Sequence, residues 1–115
     1  MAITNKDDSQ IIGAVGIRVV NKTSKIAECG YWLKRELWGQ GIATEVTNEL
    51  IKFGFKNMGM NKIAATAIPE NIGSVRVLEK VGMTKEGLLR ENIIARGNSY
   101  DTVYMSILKR EYEQS

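Results

Sequence analysis

Apolar and polar positions first follow a period of two. From Gln10 to Val20 the chain is dense in isoleucine and valine and predicts a strand, with Gly13 and Gly16 as bulge or close-contact positions. Ala2 to Thr4 predicts the end of an earlier strand, followed by a polar turn at Asn5 to Ser9. Asn21 to Ser24 (NKTS) predicts a second turn, and Lys25 to Leu33 the next strand. Alternation puts Glu28, Gly30 and Trp32 on one face of that strand, and Ala27, Cys29, Tyr31 and Leu33 on the other. Short turns between such strands predict an antiparallel meander.

The period then becomes helical. Between about Gln40 and Met58, the apolar residues Ile42, Val46, Leu50 and Phe53 fall on one stripe, widened by Ala43, Ile51 and Phe55. Gly59 suits the residue just past the helix end. Lys62 to Ile68 (KIAATAI) predicts a short buried strand. A strand, a helix of that length and another strand predict a βαβ crossover with parallel strands. Pro69-Glu70-Asn71 breaks the chain, Asn71 suits an N-cap, and Ile72 to Val81 predicts a second helix with Val75, Leu78 and Val81 inward and Gly82 at its end. Glu86 to Ala95 and Tyr100 to Leu108 predict strands of a hairpin around Arg96-Gly97-Asn98. The expected class is α+β, a mixed α/β sheet with element order β-β-β-α-β-α-β-β.

Composition narrows the chemistry. At 115 residues, 43% of them hydrophobic, one domain over 1–115 with a modest core is expected. The net charge of +3 lacks a basic run, which gives no support for nucleic-acid binding. No apolar run approaches the ~20 residues of a membrane span, and the polar start MAITNKDDSQ is unlike a signal peptide, so no membrane partner is expected. The lone Cys29 cannot form an internal disulfide and fits a reducing, cytoplasmic setting. Because the chain has no histidine, Ser-His-Asp and Cys-His machinery is excluded, and no zinc site of Cys and His can form. Acid–base work falls to carboxylates, tyrosines, lysines, hydroxyls or water. Cys29 itself reads as a small core residue, on the face opposite Glu28.

The stretch Gly30 to Glu45 (GYWLKRELWGQGIATE) carries the strongest signal. Two glycines, Gly39 and Gly41, stand at the mouth of the long helix and leave backbone N–H groups uncovered. The first amides of a helix lack internal partners and carry the positive end of its dipole, which suits a phosphate or pyrophosphate. The plain alternative is a tight strand-to-helix turn without a ligand. A dinucleotide fingerprint fails because Thr44 stands where its third glycine belongs, and a phosphate-binding P-loop fails for want of Gly-Lys-Ser/Thr.

At this point the residues resemble a family, the GCN5-related N-acetyltransferases (GNAT), and within it the branch acting on ribosomal-protein N-termini and similar amines. Its turn, Gln/Arg-x-x-Gly-x-Gly/Ala, is met by Trp38-Gly39-Gln40-Gly41-Ile42-Ala43, with Trp38 the one departure. Ala27-Glu28-Cys29-Gly30-Tyr31-Trp32-Leu33 is similar to the branch's preceding strand. So are Asn71-x-x-Ser74, Glu79-Lys80-Val81-Gly82-Met83 and Glu86-Gly87, and the likeness runs from about Ala2 to Tyr112.

The resemblance implies the acyl-CoA N-acyltransferase fold, acetyl-CoA as donor and a primary amine as acceptor. The strands ending at Leu33 and Ile68 are expected to splay, with the pantetheine arm between them beside the backbone near Leu33 and Ala67. Gln40, Gly41, Ile42, Ala43 and Thr44 would cradle the pyrophosphate, with Lys34 and Arg35 adding charge nearby. A backbone N–H near Leu33 would face the thioester carbonyl as oxyanion donor. Glu28 would take the proton of the attacking amine; its alternative is a strand-face partner of a neighbouring cation. Asn71 would hydrogen-bond the cofactor arm while capping its helix, and Ser74 the departing sulfur. Many relatives place a tyrosine acid where this chain has Leu78. Arg76 and Lys80 read as a solvated face, within reach of CoA phosphates.

The family ordinarily opens with a further strand and helices ahead of the point matching Ala2. Their absence from these residues predicts a bare sheet edge and a homodimer that covers it. Two functions follow: an N-acetyltransferase, or a non-catalytic remnant that binds CoA or a protein partner.

Overall fold

A computed structural model of the chain describes residues 2–4, 11–33 and 41–114. Six strands form one mixed sheet in the order β1-β2-β3-β4-β6-β5: β1 Ala2–Thr4, β2 Ile11–Asn21, β3 Ile26–Leu33, β4 Lys62–Ala67, β5 Thr84–Ala95 and β6 Asn98–Leu108. The helices are α1 Ile42–Lys56, α2 Ile72–Lys80 and α3 Lys109–Gln114. The expected element order is met, and α3 is an addition to it.

β1, β2 and β3 are the expected antiparallel meander. The turn after β2 is held by Asn21, whose Oδ1 accepts the Ser24 N–H at 2.9 Å, and Lys25 closes it at φ 57°. The Lys25 carbonyl then accepts the N–H groups of Asn61 and Lys62 at 2.8 and 3.2 Å. That bond pair pins the start of β4 beside the start of β3, and the two strands run parallel across the α1 crossover. β4 continues antiparallel to β6, and β6 to β5. The β5–β6 turn is shorter than the spelled-out Arg96-Gly97-Asn98. Arg96 (φ 51°) and Gly97 (φ 77°) make a two-residue turn and Asn98 already pairs with Ala95.

α1 buries Leu50, Ile51 and Phe55 of the expected stripe, but the stripe is rotated. Thr47, Leu50, Ile51, Gly54 and Phe55 face inward, whereas Phe53 is 49% exposed. Thr47 is admitted to the core because its hydroxyl donates to the Ala43 carbonyl at 2.7 Å, leaving a methyl to pack. Gly54 marks where the helix lies closest to the sheet. A Cβ there would sit 2.4 Å from Ile63 Cδ1 and 2.9 Å from Ile17 Cδ1. Phe53 lies about 100° round the helix from Gly54, which carries it off the packed face. Apolar spelling alone favours Phe53 over Thr47 and Gly54, and so tilts the predicted stripe.

The core lies between the helices and one face of the sheet. It gathers Ala27, Ile51, Phe55, Met60, Ile63, Ala65, Ala67, Leu78, Met83, Val103, Met105 and Ile107. Tyr112 of α3 stacks on Phe55 with ring centroids 5.1 Å apart. The other face of the sheet is polar. There Lys62 Nζ lies 2.7 Å from Glu86 and 5.3 Å over the Tyr104 ring, and Ser106 Oγ donates to the same Glu86 carboxylate. These two donors, Lys62 first, hold the Glu86 carboxyl below its ordinary range.

Replacement of Gly54 by valine is expected to force α1 off the sheet and lower stability by about 2 kcal/mol or more, since Ile63 is fully buried and cannot give way. Urea unfolding of the two proteins measures the difference.

Candidate functional site

The site begins where a ladder stops. β3 and β4 pair only through Ile26↔Lys62, Ala27↔Ile63 and Glu28↔Ala64. Beyond these, β3 pairs with β2 as far as Leu33↔Gly13, and β4 pairs with β6 as far as Ala67↔Val103. The facing edges of Cys29–Leu33 and Ala65–Ala67 therefore part without pairing to each other, as the family resemblance implies. Backbone polar groups along such edges need partners, and an extended ligand with amide groups can supply them.

A cavity of about 470 Å³ fills this opening on the helix side. β3 contributes Cys29, Gly30 and Tyr31, and β4 contributes Ala65, Thr66 and Ala67. From α1 come Gly41, Ala43, Thr44 and Thr47. Gly41 is the N-cap at φ 80°, a left-handed conformation that L side chains rarely adopt, and among the described residues no side chain caps the helix. Glu45 N–H is the first to close on Gly41, at 3.0 Å, so the amides of Ile42, Ala43 and Thr44 precede the helical ladder beside the cavity. Such a helix mouth suits an anion.

The third wall is α2. Asn71 Oδ1 accepts the Ser74 N–H at 3.2 Å and caps the helix, so its capping role is present and its side-chain nitrogen is left for other use. Asn71 and Ser74 both line the cavity, together with Gly73, Arg76, Val77, Leu78 and Lys80. Leu78 is 4% exposed and aliphatic, so no proton donor occupies the place of the family's tyrosine.

Glu28 lies elsewhere. It is half-buried on the polar face, opposite Arg18 on β2, and lines a second, shallower depression of about 390 Å³ with Gly16, Ile17 and Arg18. The ion pair recorded among the described residues is Lys62–Glu86, not Arg18–Glu28. The two concavities share Cys29 and Gly30 and so adjoin across β3. Gly30 pairs with Gly16, and a Cβ on either would meet nothing within 4 Å, so the backbone beside Glu28 is uncovered.

Thus Gly41, Ala43, Thr44, Ala67, Asn71 and Ser74 share one cavity, with Ile42 half-buried at the head of α1. Leu33 ends β3 in the ladder to β2. Gln40, with Lys34, Arg35, Trp38 and Gly39, lies outside the described residues. Tyr31 also lines the cavity. Arg76 and Lys80 are exposed as expected, yet they also line it. They share one helical stripe with Gly73 and Val77, though spacing alone does not say what that stripe faces.

Cys29 packs against the core and touches both concavities. Burial pushes its thiol up to about 11, the nearby Glu28 charge adds to the rise, and a backbone hydrogen bond opposes it. A thiol in that state is a poor nucleophile at neutral pH, in keeping with a packing role.

Comparison with known proteins agrees with this arrangement. The family described as acetyltransferase (GNAT) domain matches residues 1–84, and the chain belongs to that family. An uncharacterized N-acetyltransferase of Bacillus licheniformis, p20, is 39% identical over 111 residues, 96% of this chain. The chain spans 62% of that relative's length. The ribosomal-protein-S5-alanine acetyltransferase of Vibrio fischeri superposes with a TM-score of 0.88 at 28% identity, covering 96% of this chain and 61% of that one. A spermidine/spermine N-acetyltransferase of Vibrio cholerae does so at 0.85 and 26% identity, covering 98% and 68%. Among the described residues no helix is long and apolar enough to cross a membrane.

Alkylation of Cys29 by iodoacetamide is expected to be slow at pH 7 and to rise about tenfold per pH unit toward 11, as the thiolate fraction grows. Mass spectrometry of the native protein follows it, with urea-unfolded protein as the fast reference.

Proposed function

We propose that residues 1–115 act as one GNAT domain that binds acetyl-CoA and transfers its acetyl group directly to a primary amine. The observation that carries this reading is the parting of β3 from β4 beside the uncapped start of α1. The opening suits a pantetheine arm between two strand edges. The amides at Ile42, Ala43 and Thr44, with Gly41 and Gln40, suit its pyrophosphate.

In this reaction the amine nitrogen attacks the thioester carbonyl from the polar face, where Gly16 and Gly30 leave the backbone open. Glu28 takes the proton of the amine, directly or through one water, because only the neutral amine has a lone pair to attack with. A backbone N–H near Leu33 stabilises the negative oxygen of the tetrahedral intermediate. Collapse breaks the C–S bond and releases the CoA thiolate, toward which Ser74 directs its hydroxyl. With Leu78 in the tyrosine's place the thiolate leaves without a dedicated acid, which its stability permits.

The acceptor is the amine of a protein N-terminus or of a small molecule, and the two neighbour names supply both arms of a test: an alanine-starting peptide and spermidine. A reducing cytoplasm suits the unpaired Cys29 thiol. A homodimer is part of the same proposal, and the described edge that favours it is β5, at the end of the sheet opposite the β1 edge expected to be covered. β5 is an edge strand on which Leu88, Leu89, Ile93 and Ile94 are 49, 39, 36 and 77% exposed.

Acetyl-CoA is expected to bind in isothermal titration, and at least one acceptor to release free CoA. Glu28→Gln should leave that binding intact and lower turnover by about 10²-fold or more. Binding without turnover on any acceptor would favour the non-catalytic alternative. For the assembly, light scattering behind size exclusion at micromolar protein should report a dimer that Ile94→Lys dissociates. A monomer in the unsubstituted protein rejects it.

A further inference from the structure

The smaller depression, on the polar face, has a charge pattern that proton removal by Glu28 leaves unexplained. β2 and β3 pair there as Arg18↔Glu28 and, two residues along, as Gly16↔Gly30, so these four residues share one face and all line the depression. A cation and an anion thus stand on neighbouring strands with their Cβ atoms about 5 Å apart. Beside them lies a floor of bare backbone, since a Cβ on either glycine would meet nothing within 4 Å. Among the described residues no ion pair joins Arg18 to Glu28. Lys62, two residues before the β4 partner of Glu28, is engaged elsewhere, its ammonium 2.7 Å from Glu86 and over the Tyr104 ring. Arg18 is exposed and Glu28 half-buried, so a small molecule arriving from solvent meets both signs at once.

We infer that this pair makes the acceptor a free α-amino acid, with Arg18 holding its carboxylate while Glu28 faces its amine. The inference rests on the N-acetyltransferase reading above and narrows its acceptor. An α-amino acid carries opposite charges on either side of one carbon, and the depression offers the complementary signs on adjacent strands. The planar guanidinium of Arg18 can donate two parallel N–H groups to the carboxylate oxygens. That fork fixes the carboxylate, and with it the direction of the amine over the Gly16–Gly30 floor. The same cation works against two other acceptors. A polyamine would bring a second ammonium toward Arg18, and a peptide N-terminus presents a neutral amide in the carboxylate's place. In the transfer the N–C bond forms and the C–S bond breaks, the amine proton passes to Glu28, and the products are an N-acetylamino acid and the CoA thiolate.

Because Arg18 is exposed, the preference is moderate and weakens with salt. Release of free CoA from acetyl-CoA is followed with L-alanine, L-alaninamide, an alanine-starting peptide and spermidine as acceptors, at low and at 0.5 M salt. Rates are expressed per neutral amine, because the amide lowers the basicity of its amine. L-Alanine is expected to exceed L-alaninamide about tenfold in kcat/KM at low salt, and by less at high salt. Arg18→Gln should raise the KM for L-alanine about tenfold with little change in kcat and so close the gap, and Arg18→Lys should restore part of it. Lys22→Gln, which removes a positive charge in the turn after β2, outside the depression, should keep the preference. Isothermal titration with acetyl-CoA checks that each variant is folded. Equal rates for L-alanine and L-alaninamide, faster transfer to the peptide or to spermidine, or a preference that survives Arg18→Gln overturns the amino-acid acceptor and leaves the transferase reading standing. Turnover of none of the four by protein that binds acetyl-CoA overturns the two together.

Discussion

The arrangement depends on how few residues join β3 to β4. Three parallel pairs hold the strands at one end, anchored by the bonds of the Lys25 carbonyl to Asn61 and Lys62. After Glu28 and Ala64 each strand follows a different neighbour, β2 on one side and β6 on the other. Beyond those three pairs nothing in the ladder holds the two parallel strands together. The result is a break through the middle of a sheet, filled by the larger cavity on the helix side, with unpaired strand edges as its walls. The smaller depression, over β2 and β3, shares Cys29 and Gly30 with it.

Helix packing keeps that break in place. α1 presses on the sheet through Gly54, close enough that a single carbon would collide with Ile63 and Ile17. Since Ile63 belongs to β4 and Ile17 to β2, one glycine registers the helix against strands on both sides of β3. The same docking aims the N-terminus of α1 at the opening, where Gly41 takes a left-handed turn without a side-chain cap. Hydroxyl-bearing Thr47 packs beneath it at the cost of one internal hydrogen bond. A helix mouth suited to a negatively charged group thus follows from helix placement, with no buried charge to solvate.

Much of this was legible in residue order. β-branched alternation marked the meander, and the run from Ile42 marked a helix long enough to cross the sheet. Asn71 and Gly82 marked the ends of α2, and both perform as read: Asn71 caps Ser74, and Gly82 turns at φ 94°. Gly41, Ala43, Thr44, Asn71 and Ser74 were drawn to one place through the family likeness, and they line one cavity. Less was visible where packing outranks hydrophobicity. Phe53 is apolar yet exposed, and Thr47 is polar yet buried, because the centre of the α1 stripe is set by Gly54. α3 carries charged residues and one useful aromatic, and its helix is held by Tyr112 on Phe55, a contact between distant parts of the chain.

By itself the sequence determined which stretches are strands and helices, the parallel crossover, the glycine at the head of α1 and the exclusion of histidine chemistry. Each of these depends on local periodicity, backbone freedom or simple composition. Only the tertiary structure decided that Glu28 lies across β3 from the larger cavity, and that Arg76 and Lys80 turn toward that cavity while remaining exposed. Those placements depend on where two ladders part and how two helices are rotated on a sheet, and such relations among distant residues have no signature in any one segment.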